Sequence, residues 1–200
     1  MSNGSGLVVA IDYGDSAVVV STDYGQSWVR LTPFGTVSIY HYASVNGVFL
    51  LVDANKNVYR SVDGVSWSSV YNPTDAGASF NHLTAANGLF FAFSANGVAT
   101  SSDGITWSTN VPYTPSYMEL SYANGLYIGT NSGLSNIYTS VDGASFDAVF
   151  SIGSSGATKP VVGESVWVYD SGSLNVYSHP LAPPIPPTFW TNLLGQREAA

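Results

Sequence analysis

The chain has 200 residues, which is enough for one domain of ordinary size or two small ones. Only 9% of the residues are charged, while 45% are apolar and 14% aromatic, a composition too apolar for a disordered chain. Lys and Arg number 5 against 13 Asp and Glu, so the chain lacks the cationic surface that nucleic acids and anionic membranes attract. Cysteine is absent, which excludes disulfides and thiolate metal sites.

The N-terminal residues do not have the pattern of a secretory signal. Residues 1–6 contain no Lys or Arg, and the apolar run from Leu7 to Ile11 is short. No stretch approaches the roughly 20 apolar residues that cross a bilayer. We therefore expect a soluble protein that is made without an export signal of its own and does not insert into membranes.

An internal repeat dominates the chain. Four segments, at 21–28, 61–67, 101–107 and 140–146, share a Ser, an Asp two residues later, a Gly and a final aromatic residue. The aspartates are spaced by 40, 40 and 39 residues. The shared residues are Ser21, Asp23, Gly25 and Trp28; Ser61, Asp63, Gly64 and Trp67; Ser101, Asp103, Gly104 and Trp107; and Ser140, Asp142, Gly143 and Phe146.

A second motif keeps the same spacing. Asn-Gly pairs at 46–47, 87–88 and 124–125 each precede an apolar run, and weaker copies begin near residues 6 and 163. The two motifs together divide the chain into five repeats of about 40 residues, which leave no room for a second domain. Their approximate bounds are 1–35, 36–75, 76–113, 114–152 and 153–200.

Each repeat is predicted to contain four short strands. In the second repeat the strands are expected over 38–44, 48–52, 58–61 and 67–71. Asn-Gly, Asp-Gly and the residues between 55 and 57 provide the turns that separate them. Because helical periodicity is absent and four antiparallel strands make one blade, the sequence predicts an all-β fold, a five-bladed β-propeller.

The four repeated segments resemble Asp-box repeats, also called BNR repeats, of sialidase-like β-propellers. Segment 21–28 has the full Ser-x-Asp-x-Gly-x-Thr/Ser-Trp spacing, and the other three lack the residue between Asp and Gly. The shortened form is similar to repeats of photosynthesis-assembly-like propellers and of many bacteriophage virion proteins. The resemblance implies that each box lies on the hairpin between the third and fourth strands, away from the usual ligand face.

The residue types of the boxes indicate a structural role. An Asp side chain can accept hydrogen bonds from the backbone of its own turn. Gly adopts a conformation that a side chain would forbid, and the aromatic residue offers a face that packs between blades. We expect the four aspartates to stabilise the fold rather than to bind calcium.

The fifth repeat departs from the pattern. Residues 176–178 match a third strand, but a proline-rich segment at 180–187 replaces the box and is expected to be extended, outside any ladder. Residues 189–191 then form the fourth strand of the fifth blade, or residues 188–195 return as the missing first strand of the first blade. The second alternative is slightly favoured because it removes exposed strand edges.

The chain does not show the residues of a known catalytic site. A sialidase needs a cluster of arginines, but Arg30, Arg60 and Arg197 fall at inequivalent positions of the repeat. Glycoside hydrolysis needs two carboxylates that flank one bond, and no pair is singled out. The three histidines have no ligand-like spacing, so we predict no enzyme activity, no metal and no cofactor.

Three polar residues share one register of the predicted innermost strands. His41, His82 and Glu119 each lie five residues before the Asn of an Asn-Gly pair. One interpretation is a hydrogen bond that ties each inner strand to a neighbouring blade. The other is a polar ring at the mouth of the central channel.

Aromatic residues occur in the longer loops that lead into the first strands. Phe34, Tyr113 and Tyr117 lie there among Ser, Thr, Asn and Gly. Exposed aromatics in such surroundings suit stacking on sugars or contact with a protein. The alternative is that some of them only cap the blades.

These observations lead us to expect a non-catalytic binding module on a bacteriophage particle. A weakly charged surface rich in Gly, Ser, Thr, Tyr and Asn suits display, and lysis releases virions without an export signal. The expected partners are other virion proteins, docked through residues 180–200, and host polysaccharide. The alternatives are a lectin with several weak sites, an assembly factor and a glycoside hydrolase.

Overall fold

The regular structure of the described residues is β-strand throughout. A computed structural model describes residues 1–12, 17–71, 82–94, 97–110, 118–131, 136–151, 161–162, 165–170 and 175–180. Within these ranges no helix is long and apolar enough to cross a bilayer. The chain forms two compact units, 1–111 and 112–200, which divide between the third and fourth predicted repeats.

The first unit contains three antiparallel sheets in which each strand pairs with the next one in sequence. Sheet 1 consists of β1 (Val8–Asp12), β2 (Ala17–Ser21) and β3 (Val29–Leu31). Sheet 2 consists of β4 (Ile39–Val45), β5 (Val48–Asp53), β6 (Val58–Ser61) and β7 (Ser68–Tyr71). Sheet 3 consists of β8 (His82–Ala86), β9 (Leu89–Ser94), β10 (Gly97–Ser101) and β11 (Ser108–Asn110).

The second unit contains two further sheets with the same topology. Sheet 4 consists of β12 (Glu119–Ala123), β13 (Leu126–Asn131), β14 (Asn136–Ser140) and β15 (Asp147–Ser151). Sheet 5, in its described part, consists of β16 (Val161–Val162), β17 (Ser165–Asp170) and β18 (Asn175–Pro180).

Two-residue turns join the first two strands of sheets 2, 3 and 4. Asn46, Asn87 and Asn124 have φ angles of 48°, 50° and 50°, and the glycine after each also has a positive φ. Type I′ turns require this conformation, and their twist matches that of the strands they join. The Asn-Gly motif therefore fixes the register between the first and second strands.

The first three residues lie along the edge of β1 that faces away from β2. The Val9 N–H donates to the Met1 carbonyl at 2.8 Å, and the terminal amine donates to the Val9 carbonyl at 2.7 Å. The Asn3 N–H donates to the Leu7 carbonyl at 3.2 Å. We expected the first blade to lack a first strand at this edge. In the structure the N-terminus itself covers part of the edge. Residues 188–195 lie outside the described residues.

Strand β5 is the buried centre of the first unit. Its side chains alternate between two apolar clusters, so both of its faces are covered. Phe49 and Leu51 pack towards sheet 1, whereas Leu50 and Val52 pack towards sheet 3. The partners are Val9, Val18 and Val20 on the first side, and Leu83, Phe90 and Ala92 on the second. Each such buried side chain contributes about 1.5–3 kcal/mol.

The predicted all-β fold of four-stranded antiparallel sheets is confirmed, with four strands each in sheets 2, 3 and 4. One boundary was wrong. Pro180 is the last residue of β18 and pairs with Ser165, so the proline-rich segment begins inside a ladder. Proline is tolerated there because β18 is an edge strand of the described sheet. Residues 181–187 lie outside the described residues.

Candidate functional site

The repeated Ser, Asp and Gly residues form four similar hairpins, which we call the aspartate turns. In the second turn, Ser61 Oγ donates to Asp63 Oδ1 at 2.9 Å and accepts the Gly64 N–H at 2.8 Å. The same Oδ1 accepts the N–H groups of Val65 and Ser66, at 2.8 and 2.7 Å. One carboxylate oxygen therefore closes the turn from within, as the sequence predicted. The four aspartate turns cover 21–28, 61–67, 101–107 and 140–146.

The third and fourth turns repeat this pattern, and the first turn varies it. Oδ1 of Asp103 and of Asp142 each accepts one serine hydroxyl and two backbone N–H groups. The first turn contains an additional residue, Tyr24, in the left-handed region at φ 61°. There Ser27 Oγ adds a bond of 2.6 Å to Oδ2 of Asp23. The hydrogen-bond network thus tolerates either length of turn.

These hydrogen bonds hold the aspartates in the charged form, because a donor stabilises a carboxylate more than a carboxylic acid. At Asp23 the largest cause is the hydroxyl of Ser27, and at Asp63 it is the N–H of Ser66, followed by that of Val65. The pKa falls from 3.8 to about 2 for Asp23, Asp63 and Asp103, and it also falls for Asp142.

In the first unit, the second and third aspartate turns pack against the preceding sheet. Gly64 has φ 72°, and a Cβ added to it would lie 2.7 Å from Cγ2 of Val9 in sheet 1. A Cβ on Gly104, at φ 73°, would lie 2.7 Å from Cδ2 of Leu50 in sheet 2. The Arg60 Nε–H on β6 also donates to the Asp103 carbonyl at 2.8 Å. The turns therefore join adjacent sheets, which agrees with the structural role expected of them.

Two of the three polar residues from the predicted inner strands meet in the structure. His41 lies on β4 opposite Val52, and His82 begins β8 opposite Phe93. The two Nδ1 atoms are 3.2 Å apart, and the rings meet edge to face with centroids 4.8 Å apart. His82 is buried and lies near the ring of Phe93, whereas His41 is half-buried. This contact links the first strands of sheets 2 and 3.

Two exposed tyrosines flank His41 on β4. Tyr40 is 52% exposed and Tyr42 is 44% exposed, although Ile39 and Ala43 of the same strand are buried. The ladder is irregular between Ile39 and His41, which places Tyr40 at a break in the register. A tyrosine ring offers a large apolar face with a polar end, and such rings dominate many recognition surfaces. Neither tyrosine was predicted as a candidate, since both fall within the predicted strand 38–44.

The other candidate residues have different surroundings. Glu119 begins β12 opposite Thr130 in the second unit and is half-buried. Phe34 is half-buried, with its ring centroid 4.5 Å from that of Tyr59 and 5.7 Å from that of Trp67. It therefore caps the cluster between sheets 1 and 2, which agrees with the alternative that some of the loop aromatics cap the blades. Tyr113 and Tyr117 lie outside the described residues.

A buried carboxylate at the end of β5, beside the turn into β6, was not anticipated. Asp53 is fully buried, and its Oδ1 accepts the N–H groups of Asn55 and Asn57, both at 2.8 Å. Its Oδ2 accepts the Asn57 amide at 2.9 Å and the Tyr59 hydroxyl at 3.1 Å. Burial is the largest cause of a raised pKa at Tyr59, followed by the hydrogen bond to Asp53. With four donors around it, this carboxylate stabilises a turn.

Comparison with known proteins defines the fold class. No protein-family model matches the chain, and no curated protein sequence matches it. A structure of YCF48 bound to D1 peptide is similar with a TM-score of 0.54 and 16% identity, over 86% of this chain and 64% of that one. YCF48 from Cyanidioschyzon merolae is similar with a TM-score of 0.55 and 14% identity, over 84% and 65%. The chain thus spans slightly less than two thirds of these two proteins.

Proteins of other kinds share the architecture. A nidogen/laminin complex contains a chain with a TM-score of 0.63 and 12% identity, over 88% of this chain and 72% of that one. Virginiamycin B lyase from Staphylococcus aureus gives 0.54 and 13%, over 94% and 73%. At such identities the likeness shows the fold alone, and the fold is that of a β-propeller. Since the group includes lyases as well as proteins that bind peptides or other proteins, the fold is compatible with both kinds of function.

Proposed function

We propose that the protein is a non-catalytic binding module that is carried on a bacteriophage particle and contacts the host surface. The observation that carries the binding role is the pair of exposed tyrosines, Tyr40 and Tyr42, on the otherwise well-packed strand β4. Two large aromatic side chains kept at the surface of a strand suit the recognition of a sugar or of a protein segment.

The repeated motif supports the same conclusion, because its residues have structural roles. The carboxylates of the aspartate turns accept donors from their own hairpins, and Gly64 and Gly104 press against neighbouring sheets. These residues therefore build the fold, and recognition is left to side chains that vary between repeats. Function in this fold class is set by such variable residues rather than by the frame.

The assignment to a phage particle and to a host surface is inferred from the sequence. The shortened boxes resemble repeats of bacteriophage virion proteins, and the surface is weakly charged, with 9% charged residues overall. Similar structures, namely YCF48 with the D1 peptide and the nidogen/laminin complex, show that propellers of this kind bind proteins. These comparisons support a binding role in general, and the phage assignment depends on the sequence resemblance.

Two experiments test the proposal separately. Mass spectrometry of purified particles should detect the chain at a fixed copy number, and its absence would overturn the virion assignment. Binding is tested with the purified protein, displayed multivalently, on a glycan array and on host envelopes. We expect Tyr40→Ala combined with Tyr42→Ala to lose most of the signal. Tyr24→Ala, which removes a tyrosine that is 74% exposed on the first aspartate turn, is the matched control.

An equal loss in the control and in the double variant would contradict recognition through β4. Retained binding in the double variant would do the same. In either case the virion assignment stands or falls on the mass spectrometry alone.

A further inference from the structure

We propose that His41 and His82 form a two-histidine site for a divalent transition-metal ion, with Cu²⁺ bound most tightly and Zn²⁺ and Ni²⁺ more weakly. The two Nδ1 atoms are 3.2 Å apart. Zinc–nitrogen bonds are about 2.0–2.1 Å long, so two imidazole nitrogens on one tetrahedral ion are about 3.3 Å apart. The two nitrogens thus already have the spacing of neighbouring ligands on a single ion.

The fold holds both histidines in place. They project from β4 and β8, the first strands of two adjacent sheets that share an apolar cluster. The ring of His82 is buried and stacks with that of Phe93 at 6.5 Å, which limits its rotation. Sites built on strands keep their geometry better than sites built on loops. A metal ion therefore needs little rearrangement of the backbone to bind here.

The half-buried position of His41 gives an ion access to the pair. The rings meet nearly at right angles, with an interplanar angle of 83°. In the metal-free protein the two Nδ1 atoms share one hydrogen bond, in which one imidazole donates and the other accepts. Metal binding replaces this bond, because both histidines must then present an unprotonated Nδ1 to the ion.

The site holds only part of a coordination sphere. Among the described residues, no group of three or more His, Cys, Asp or Glu side chains is arranged to hold a metal ion. Water, or a donor from a bound partner, would fill the remaining positions. Imidazole nitrogen suits copper, zinc and nickel, and affinity among these ions is highest for Cu²⁺. Ca²⁺ and Mg²⁺ prefer oxygen ligands and should not compete.

The test uses the full chain without an affinity tag, stripped of metal with EDTA. Calorimetric titration with Cu²⁺, and separately with Zn²⁺, should show one saturable site, and a tenfold excess of Ca²⁺ should leave it unchanged. His41→Gln should weaken binding by more than about tenfold, since loss of even an outer partner of a metal ligand costs that much. His179→Gln, which removes the histidine on β18, is the matched control and should bind like the wild type.

A second measurement does not depend on any variant. Electron paramagnetic resonance of the Cu²⁺ complex at one equivalent should show hyperfine coupling to two imidazole nitrogens, and affinity should fall as the pH is lowered. The proposal is overturned if no saturable binding occurs or if the spectrum shows only oxygen ligands. It is also overturned if His41→Gln binds the ion as tightly as the wild type, which would leave the histidine pair as a hydrogen bond between strands.

Discussion

The first aspartate turn and the second share their hydrogen bonds but differ in their packing. Both carry a tryptophan whose indole N–H donates to the carbonyl of the turn glycine at 3.0 Å. Trp67 nevertheless packs against the cluster between sheets 1 and 2, whereas Trp28 is 44% exposed. The hydrogen bonds of the turn therefore do not depend on burial of its tryptophan, which the neighbouring sheet supplies at Trp67.

The glycines of the two turns differ in the same way. A Cβ on Gly64 would press into buried Val9, but a Cβ on Gly25 would meet only Trp28 of its own turn, at 3.5 Å. Local hydrogen bonds and contacts between sheets are therefore separable contributions. Substitutions placed in equivalent positions of the two turns can measure each of them.

The largest effect is expected from Gly64→Ala and Gly104→Ala. An alanine at positive φ costs about 1–3 kcal/mol in backbone strain. Its Cβ would also collide with fully buried Val9 or Leu50, and such overpacking adds about 1–3 kcal/mol. Urea unfolding measures the total. Gly25→Ala is the control, because its φ of 88° brings the strain without the collision. Equal losses in all three variants would show that contact between sheets contributes nothing.

A smaller effect is expected from Trp67→Ala. The substitution opens a space beside Phe34 at the cluster between sheets 1 and 2, and we expect a loss of about 2 kcal/mol, below the 3–5 kcal/mol typical of fully buried aromatics. Trp28→Ala loses the same indole hydrogen bond but little packing, so its loss should stay below about 1 kcal/mol. The same unfolding assay applies, and similar values for the two variants would contradict the packing difference.

The smallest effect is expected from acid. The pKa of Asp63 is 3.8 without its turn and about 2 within it, so the turn contributes its full stability above about pH 4 and loses it as the pH falls towards 2. The midpoint temperature of thermal unfolding should therefore fall less steeply from pH 5 to pH 2 for Asp63→Asn than for the wild type. Parallel profiles would mean that the carboxylate does not gain from its donors.

The local parts of the fold could be predicted from the sequence. Strand runs, Asn-Gly turns and the hydrogen-bonding role of Asp23, Asp63, Asp103 and Asp142 all depend on residues that lie within a few positions of one another. Such interactions occur wherever the sequence motif occurs, so the repeat predicts them. The Ser residues belong to the same motif, but the hydrogen bonds of their hydroxyls were not predicted.

The parts that the sequence left open depend on distances between repeats. The contact of His41 with His82 agrees with the interpretation of a hydrogen bond between neighbouring blades, but choosing it over a polar ring requires the placement of two separate sheets. Whether Phe34 is exposed or caps a blade was also open, because its partners Tyr59 and Trp67 are 25 and 33 positions away. The pairing of Met1 with Val9 was missed because Gly4 and Gly6 gave only a weak turn signal.

The alternation of side chains along β5 has a consequence for how the first unit unfolds. Since consecutive residues of one strand belong to two different clusters, the strand cannot leave its place without opening both at once. Sheet 2 therefore cannot melt independently, and sheets 1 and 3 each lose a cluster when it does. In a nearest-neighbour description, the two clusters are interface terms that couple sheet 2 to sheets 1 and 3. Hydrogen exchange should accordingly report one shared opening for the strands of all three sheets, with no protected sheet surviving alone.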